Sequence, residues 1–296
     1  MQHRGKIIDQ VKKWKVIDCT SCRYKHTLPL PTEVELKKIY SSVYYQDEKP
    51  KYFERNVEDI KWWKTIYADR LKTVNDFIKT DNNRLLEIGS GPGLFLQYAK
   101  RNGWKVLGIE PSKEAADFAR SRKLEIINEF FQNVEVKSLG KFGAIGMFEF
   151  LEHIPNPKDA LKFTYNQLEK GGVVCITVPN DFNPLQEVAK KSLKLKSYWI
   201  APPFHINYFD IDSLKTLLSK SGFKVSYVET SFPLEFYLLM GENYIGNDKL
   251  GRKIHGKRMQ IDLALSAFSN DLKRQLYTHL AWLGIGRDIT IYGQKT

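Results

Sequence analysis

Cysteine is scarce in this sequence, with three residues, Cys19, Cys22 and Cys175, among 296. So few do not make the disulfide framework of a small secreted protein, and they agree with a reducing compartment. Long apolar runs are missing too. The longest, such as Gly172 to Val178, are strand-length, far short of the ~20 residues that a membrane-spanning helix needs. The N-terminus, MQHRGKIIDQVKKWKVID, has basic residues but no hydrophobic core and no small-residue cleavage site, so a cytoplasmic location is expected. Acidic residues are the minority charge, 34 Asp and Glu against 46 Lys and Arg, for a formal charge of +12. The basic residues are spread along the chain, with only short clusters such as Lys190-Lys191 and Lys257-Arg258. No nucleic-acid-binding module accompanies them. A solvated basic surface is the first expectation and a pocket for a phosphorylated small molecule the second; no nucleic-acid partner is expected.

What is present is an ordinary globular balance, 42% hydrophobic and 27% charged, with a generous 13% of aromatic residues. That aromatic share suits a large core and a cavity with flat walls. Residues 1–40 read as short, mixed and irregular. Within them Thr32 is placed to cap a helix over Glu33 to Tyr40, with Glu35 completing a capping box. Residues 41–80 read as a helical lead-in, because Val57, Ile60, Trp63, Ile66, Leu71, Val74, Phe77 and Ile78 recur at helical spacing.

From residue 84 the pattern alternates. RLLEIG, KVLGIE, LEII, FGAIGMF and VVCITVPN read as strands, separated by helices over GLFLQYAKRNG, SKEAADFARSR and PKDALKFTYNQLEKGG. IDSLKTLLSKSGF then reads as a helix, KVSYVET as a strand and DITIYGQK as the last strand. Strands spaced by such helices predict βαβ units and a mostly parallel sheet. Residues 81–296 are expected to form that domain, with a helical, aromatic-rich insert over 231–286.

The informative segment is Glu87-Ile88-Gly89-Ser90-Gly91-Pro92-Gly93, at the junction of the first of these strands and its helix. A glycine-rich turn there lets backbone approach a ligand closely, with a helix N-terminus behind it. The spacing is G-x-G-x-G, and Leu94 stands where a dinucleotide fingerprint has its third small residue. The next strand ends in Glu110, seventeen residues past Gly93, where a carboxylate can accept hydrogen bonds from ribose hydroxyls.

EIGSGPG, then GIEPS, then FEFLEHIPNP resembles the class I S-adenosylmethionine-dependent methyltransferases, in the branch with an LEH segment after the fourth strand. The resemblance covers residues 84 to 229, and DITIYGQK fits that family's antiparallel final strand. It implies a Rossmann-like α/β fold with a seven-stranded, mostly parallel sheet and S-adenosylmethionine as cofactor. It also implies that Gly89, Ser90, Gly91 and Gly93 line the methionine and ribose portion and that Glu87 stands near the methionine end. Glu110, followed by Pro111, would bind the ribose diol, and Asn128, Glu129, Phe130, Met147 and Phe148 would flank the adenine.

Methyl transfer from a sulfonium consumes charge, so positioning the acceptor can carry much of the catalysis. A hydroxyl acceptor also needs a base, for which histidine is suited near neutral pH. His153, in the LEHIP turn, stands beside the cofactor edge of the sheet and is expected to brace that loop or serve a general role. His205, in PPFHINYFD, lies where this fold builds its substrate side. Similar sugar methyltransferases have a His before a Tyr-Phe pair and a following Ser-Leu helix; His205, Tyr208-Phe209 and Ser213-Leu214 match. By that resemblance His205 is the candidate base and Tyr208 a weaker catalytic candidate or wall residue. Ala201-Pro202-Pro203-Phe204 looks like the Pro-Pro-aromatic motif of nucleic-acid amino-methyltransferases. It begins with the wrong residue and follows the wrong strand, which counts against base methylation.

Cys19-Thr-Ser-Cys22 supplies half of a tetrahedral site. The surrounding segment resembles the second half of a zinc ribbon that precedes some sugar methyltransferases, with the first CxxC missing. His3 and His26 can complete a site on paper, but the expectation is a metal-free remnant. The sequence therefore predicts O-methylation of a sugar, a nucleotide-linked sugar or a similar small polar metabolite. Two rivals stay open: methylation of a quinone or lipid precursor, and a cofactor-binding scaffold without acceptor chemistry.

Overall fold

The alternation of short apolar strands with amphipathic helices is realised from residue 84 onward. The computed structural model describes residues 3–40, 52–135 and 139–296. Residues 41–51, the start of the expected helical lead-in, lie outside them. The chain divides into two compact units, one of residues 31–177, 217–227 and 291–296, the other of 1–30, 178–216 and 228–290.

The first unit carries the Rossmann-like sheet. Its strands are β4 (Arg84–Ile88), β5 (Lys105–Ile109), β6 (Ile126–Ile127), β7 (Phe142–Phe148), β8 (Leu168–Pro179), β10 (Phe223–Thr230) and β11 (Asp288–Lys295). Their order across the sheet is β10-β11-β8-β7-β4-β5-β6, mostly parallel with one antiparallel strand. β4 pairs in parallel with β5 on one side and β7 on the other. The chain therefore reverses its progress across the sheet beside β4, which makes the carboxyl end of that strand a topological switch point, where open α/β sheets bind ligands.

Helices α1 (Glu33–Lys38), α2 (Tyr52–Glu58), α3 (Ile60–Phe77), α4 (Leu94–Arg101), α5 (Lys113–Ser121) and α6 (Pro157–Gln167) belong to this unit. Thr32 caps α1, and its box with Glu35 forms in both directions. Ser112 caps α5 by accepting from Ala115 N–H. The apolar face of α3 packs Tyr67, Leu71 and Val74 into a core shared with Leu85, Leu96, Ala144 and Val173. The expected helix over 157–172 stops at Gln167, and LEKGG joins β8 instead. Leu168 turns extended and pairs with Phe142, after which β8 advances to Val173 while β7 advances only to Ala144. Gly171, at φ 81°, sits in that irregularity; a glycine accommodates such a backbone where helix propensity alone would continue the helix.

The second unit contains a four-stranded sheet of order β1-β2-β3-β9, built from Gly5–Val11, Trp14–Cys19, Lys25–Leu28 and Asn207–Tyr208. The first three are antiparallel neighbours, so residues 1–40 are more regular than the sequence reading expected. Their turn hides them: Val11 pairs with Trp14 around Lys12 at φ 52°, a left-handed residue without the usual Asn or Gly. Val16, Trp199, Ile200 and Tyr208 form a small core in this unit. The insert is helical as expected, with α9 (Glu235–Leu239), α10 (Asp248–Phe268) and α11 (Asn270–Trp282); α7 (Pro184–Ser192) and α8 (Ile211–Lys220) precede it. Among the described residues no helix is long and apolar enough to cross a membrane.

Candidate functional site

The turn after β4 needs its glycines. Gly89, Gly91 and Gly93 have φ of 73°, 49° and 69°, in the left-handed region that a β-carbon disfavours. Space is closed as well, since a β-carbon on Gly89 would lie 2.8 Å from the Phe150 ring and one on Gly93 2.6 Å from Leu124. The turn folds onto the end of β5, with Gly89 and Ser90 N–H donating to the Ile109 carbonyl at 2.8 and 3.1 Å.

Glu110 follows directly. Its buried carboxylate accepts Gly91 N–H at 2.8 Å and Ser112 N–H at 2.9 Å, one on each oxygen. Burial pushes this carboxyl up to about 7, against the pull of those two donors. Each carboxylate oxygen has a second lone pair, so the group can still accept from a ligand. The Asn128 amide donates to the Glu110 and Pro111 carbonyls at 2.9 and 3.0 Å and so pins the strand end.

Glu87 lies on β4 beside the turn. Burial holds its carboxyl well above the usual carboxylate range; the Arg70 guanidinium opposes this, and the charge of Glu110 reinforces it. Glu87 Oε2 and Ser90 Oγ are buried with no hydrogen-bond partner among the described residues. Buried acceptors left in this way are costly unless a ligand supplies donors.

Around these groups lies a cavity of about 470 Å³, within the ~300–1,000 Å³ usual for small-molecule and cofactor sites. Its lining includes Glu87, Gly89, Ser90, Gly91, Glu110, Pro111, Phe130 and Phe148 from the expected set. Gly93, Asn128, Glu129 and Met147 of that set do not line it. Met147 is fully buried, with the Thr164 hydroxyl 3.9 Å from its sulfur, because alternate residues of β7 face opposite sides of the sheet. Glu129 accepts from Phe130 N–H and from the Asn133 amide, which fixes the short turn that carries Phe131.

His153 lines the cavity too. It ends a single 3₁₀ turn, Leu151–His153, with Nε2 3.7 Å from the Glu152 carboxylate and its ring edge-on to Tyr40 at 5.7 Å. His205 and Tyr208 belong to the other unit. There the Tyr208 hydroxyl donates to the His205 carbonyl at 3.1 Å, and His205 N–H donates to Ala201 at 2.9 Å. Burial, with the charge of Asp181, pushes the Tyr208 phenol up. The Ser-Leu signature in this unit serves a cap, for Ser213 and Asp210 bond each other's backbone N–H at the start of α8.

The α3 wall is not among the residues that the sequence singles out for the site. Trp63 stacks on Tyr67, which meets Phe95, which meets Phe148, with ring centroids 4.9–5.6 Å apart. Arg70 lies 4.0 Å over the Phe148 ring and donates to Thr177 at 3.2 Å. A signal was available: Arg70 is seven residues from Trp63, two helical turns on along the apolar face.

A parallel sheet with a left-handed glycine turn at its switch point and a buried acidic residue ending the next strand defines a Rossmann-like nucleotide-ligand protein. Comparison narrows the class. Residues 60–228 match the family described as Methyltransferase domain. A ubiquinone biosynthesis O-methyltransferase from Alkalilimnicola ehrlichii is 31% identical over 106 residues, 34% of this chain and 43% of that protein. The Xanthomonas axonopodis protein of the same name is 28% identical over 135 residues, 40% of this chain and 56% of that one. The chain thus spans about half the length of the curated relatives it matches. The solved plantazolicin methyltransferase BpumL, in complex with SAH, shares the fold at TM-score 0.53 and 15% identity, over 89% of this chain and 96% of its own. The chain belongs to the methyltransferase-domain family, the class I S-adenosylmethionine-dependent methyltransferases. The residues present fit that cofactor: Glu87 and Ser90 offer unmet acceptors for an ammonium, Glu110 a spare lone pair for ribose hydroxyls, and the aromatic wall a face for adenine.

Proposed function

We propose that the protein is an O-methyltransferase that uses S-adenosylmethionine to methylate a hydroxyl on a small polar acceptor, a sugar or a nucleotide-linked sugar. The observation that carries the reading is the cavity, in which the glycine turn, Glu87 and Glu110 present acceptors and left-handed backbone to one ligand. S-adenosylmethionine, when bound, supplies an electrophilic methyl on a sulfonium. Around it Glu110 orients the ribose, Glu87 and Ser90 take the methionine end, and Phe130, Phe131 and Phe150 exclude water. Such fixed placement is what displacement at a methyl demands. A histidine then accepts the acceptor's proton, with His205 as the candidate base and His153 bracing the turn at the cavity wall.

A second reading, methylation of a phenolic quinone precursor, is favoured by the names of the curated relatives. Their matches cover 34% and 38% of this chain, too little to carry the acceptor over from them. The test is release of S-adenosylhomocysteine by the purified protein with three panels: free sugars, nucleotide sugars and catechol-type quinone precursors. Turnover with a carbohydrate supports the first reading and turnover with the phenolic panel alone supports the second. Binding of S-adenosylmethionine with no turnover of any hydroxyl acceptor would leave a cofactor-binding scaffold.

A further inference from the structure

Outside the cavity, four potential metal ligands from the first 26 residues meet in one place. His3 precedes β1, Cys19 closes β2, Cys22 stands in the turn that follows, and His26 lies on β3. One side-chain atom of each lies within 4.8 Å of all the others. His3 Nδ1 is 3.3 Å from Cys22 Sγ, 3.9 Å from Cys19 Sγ and 3.1 Å from His26 Nε2. A tetrahedral zinc ion with bonds of ~2.3 Å to sulfur and ~2.0–2.1 Å to nitrogen sets a sulfur and a nitrogen ligand ~3.6 Å apart and two nitrogens ~3.3 Å apart. The two sulfur–nitrogen spacings bracket the first value, and the nitrogen–nitrogen spacing of 3.1 Å falls just short of the second.

Hydrogen bonding among the four side chains does not account for this convergence. A neutral imidazole nitrogen carries one proton or one lone pair, yet His3 Nδ1 faces two sulfurs and a second ring nitrogen. The tautomer of His26 is set from outside the cluster: its Nδ1 lies 3.0 Å from the Thr27 carbonyl, so the proton sits there and the Nε2 lone pair points inward. An outer partner of this kind orients a metal-bound imidazole. Cys22 N–H donates to Cys19 Sγ at 3.4 Å, which fixes the direction of that sulfur from outside the four side chains. Cys19, Cys22 and His26 are buried, His3 partly so, and the two cysteines are unbridged.

Although the sequence alone suggests a metal-free remnant, we propose that His3, Cys19, Cys22 and His26 bind one structural zinc ion. Two thiolates and two imidazoles suit zinc better than a hard cation. Four protein ligands close the sphere and leave no open position for water or substrate, which distinguishes a structural from a catalytic site. The fold gives the ion a task. β1 is the outer strand of its sheet and is mostly exposed or half-exposed along its length, so apolar burial ties it down weakly. A metal bond from His3 to the β2–β3 turn fastens the end of β1 where its register with Cys19 begins.

The test uses the full chain, produced without a metal-affinity tag and kept reduced. Elemental analysis should find about one zinc per chain. After chelation and exchange, cobalt(II) should give tetrahedral d–d bands together with a thiolate-to-cobalt charge-transfer band. Cys22→Ser should lower that charge-transfer band by about half, since one of two thiolates is lost. His3→Ala, outside the strands and therefore mild for folding, should shift the d–d bands and keep the charge transfer. The proposal is overturned by less than about a tenth of an ion per chain after incubation with zinc. A cobalt(II) spectrum unchanged in both variants overturns it too, as does a Cys19–Cys22 disulfide in protein isolated under reducing conditions.

Discussion

Glu110 and Gly91 are joined by a hydrogen bond of 2.8 Å from the glycine N–H to Oε2, so the carboxylate that ends β5 also fixes the turn that ends β4. One side chain thereby sets the distance between backbone and acceptor across the mouth of the cavity. The conformation of Gly91, at φ 49°, is reached at little cost by glycine and at high cost by a β-branched residue.

Gly91→Val should therefore distort the turn, and Glu110→Ala should release it and delete the ribose acceptor. In calorimetric titration with S-adenosylmethionine each variant should lose at least about tenfold in affinity, ~1.4 kcal/mol. Wild-type affinity in Glu110→Ala would remove this residue from the cofactor site, and wild-type binding of NAD in place of S-adenosylmethionine would overturn the assignment of the cavity.

A second expectation concerns pH. The Glu110 carboxyl is held up at about 7 from an ordinary 4.5, chiefly by burial. An acid with a raised folded-state value contributes stability that is fully present below its unfolded value and is lost as pH rises through the folded one. Between pH ~5 and ~8 the ligand-free protein should therefore lose up to ~3 kcal/mol relative to Glu110→Gln, which has no charge to bury. Cofactor affinity should run the opposite way, rising over the same range, because ribose hydroxyls donate best to the ionised carboxylate. Denaturation midpoints of both proteins at the two pH values read the first effect and titrations the second; parallel pH curves for the two proteins would contradict it.

Much of this frame is legible along the chain because it rests on local rules. The G-x-G-x-G turn announces left-handed backbone, Thr32 and Glu35 announce a cap, and the period of the apolar residues separates helix from strand. What the sequence hides is set by tertiary pairing. The β1–β2 hairpin turns on Lys12 rather than glycine, so composition gives no sign of it. LEKGG continues a helical pattern, yet Leu168 is claimed by Phe142 on the neighbouring strand. Met147 looks like a pocket residue by its place near the end of β7, but strand alternation turns it into the core.

The basic residues of the insert also divide once their partners are known. Arg258, of the short cluster Lys257-Arg258, does not face solvent: it is buried, with Nη1 3.7 Å from the Asp288 carboxylate. Arg258→Ala would remove one of the two cations beside that carboxylate, Arg287 being the other, and should lower stability by ~1–3 kcal/mol. Acceptor KM of the folded enzyme should change little. The comparison is a denaturation curve beside Michaelis kinetics, and a KM increase above ~tenfold at unchanged stability would make Arg258 a ligand contact after all.

The choice of base separates two histidines by what else each one does. His153 lines the cofactor cavity and packs against Tyr40, so His153→Ala should weaken S-adenosylmethionine binding or lower stability at least as much as it slows turnover. His205 has its backbone engaged on both sides, by Ala201 and by Tyr208, which holds the residue in place. If its ring takes the proton from a hydroxyl acceptor, His205→Ala should lower kcat by about a hundredfold or more, since proton transfer typically contributes ~10²–10⁴. Cofactor affinity should stay nearly intact. Because the base must be neutral to accept a proton, kcat/KM of the wild type should rise through the neutral range, and His205→Ala should flatten that rise. Near-normal turnover with the pH profile preserved would assign His205 to the wall. The reaction would then rest on positioning alone, which an acceptor with a low-pKa hydroxyl permits.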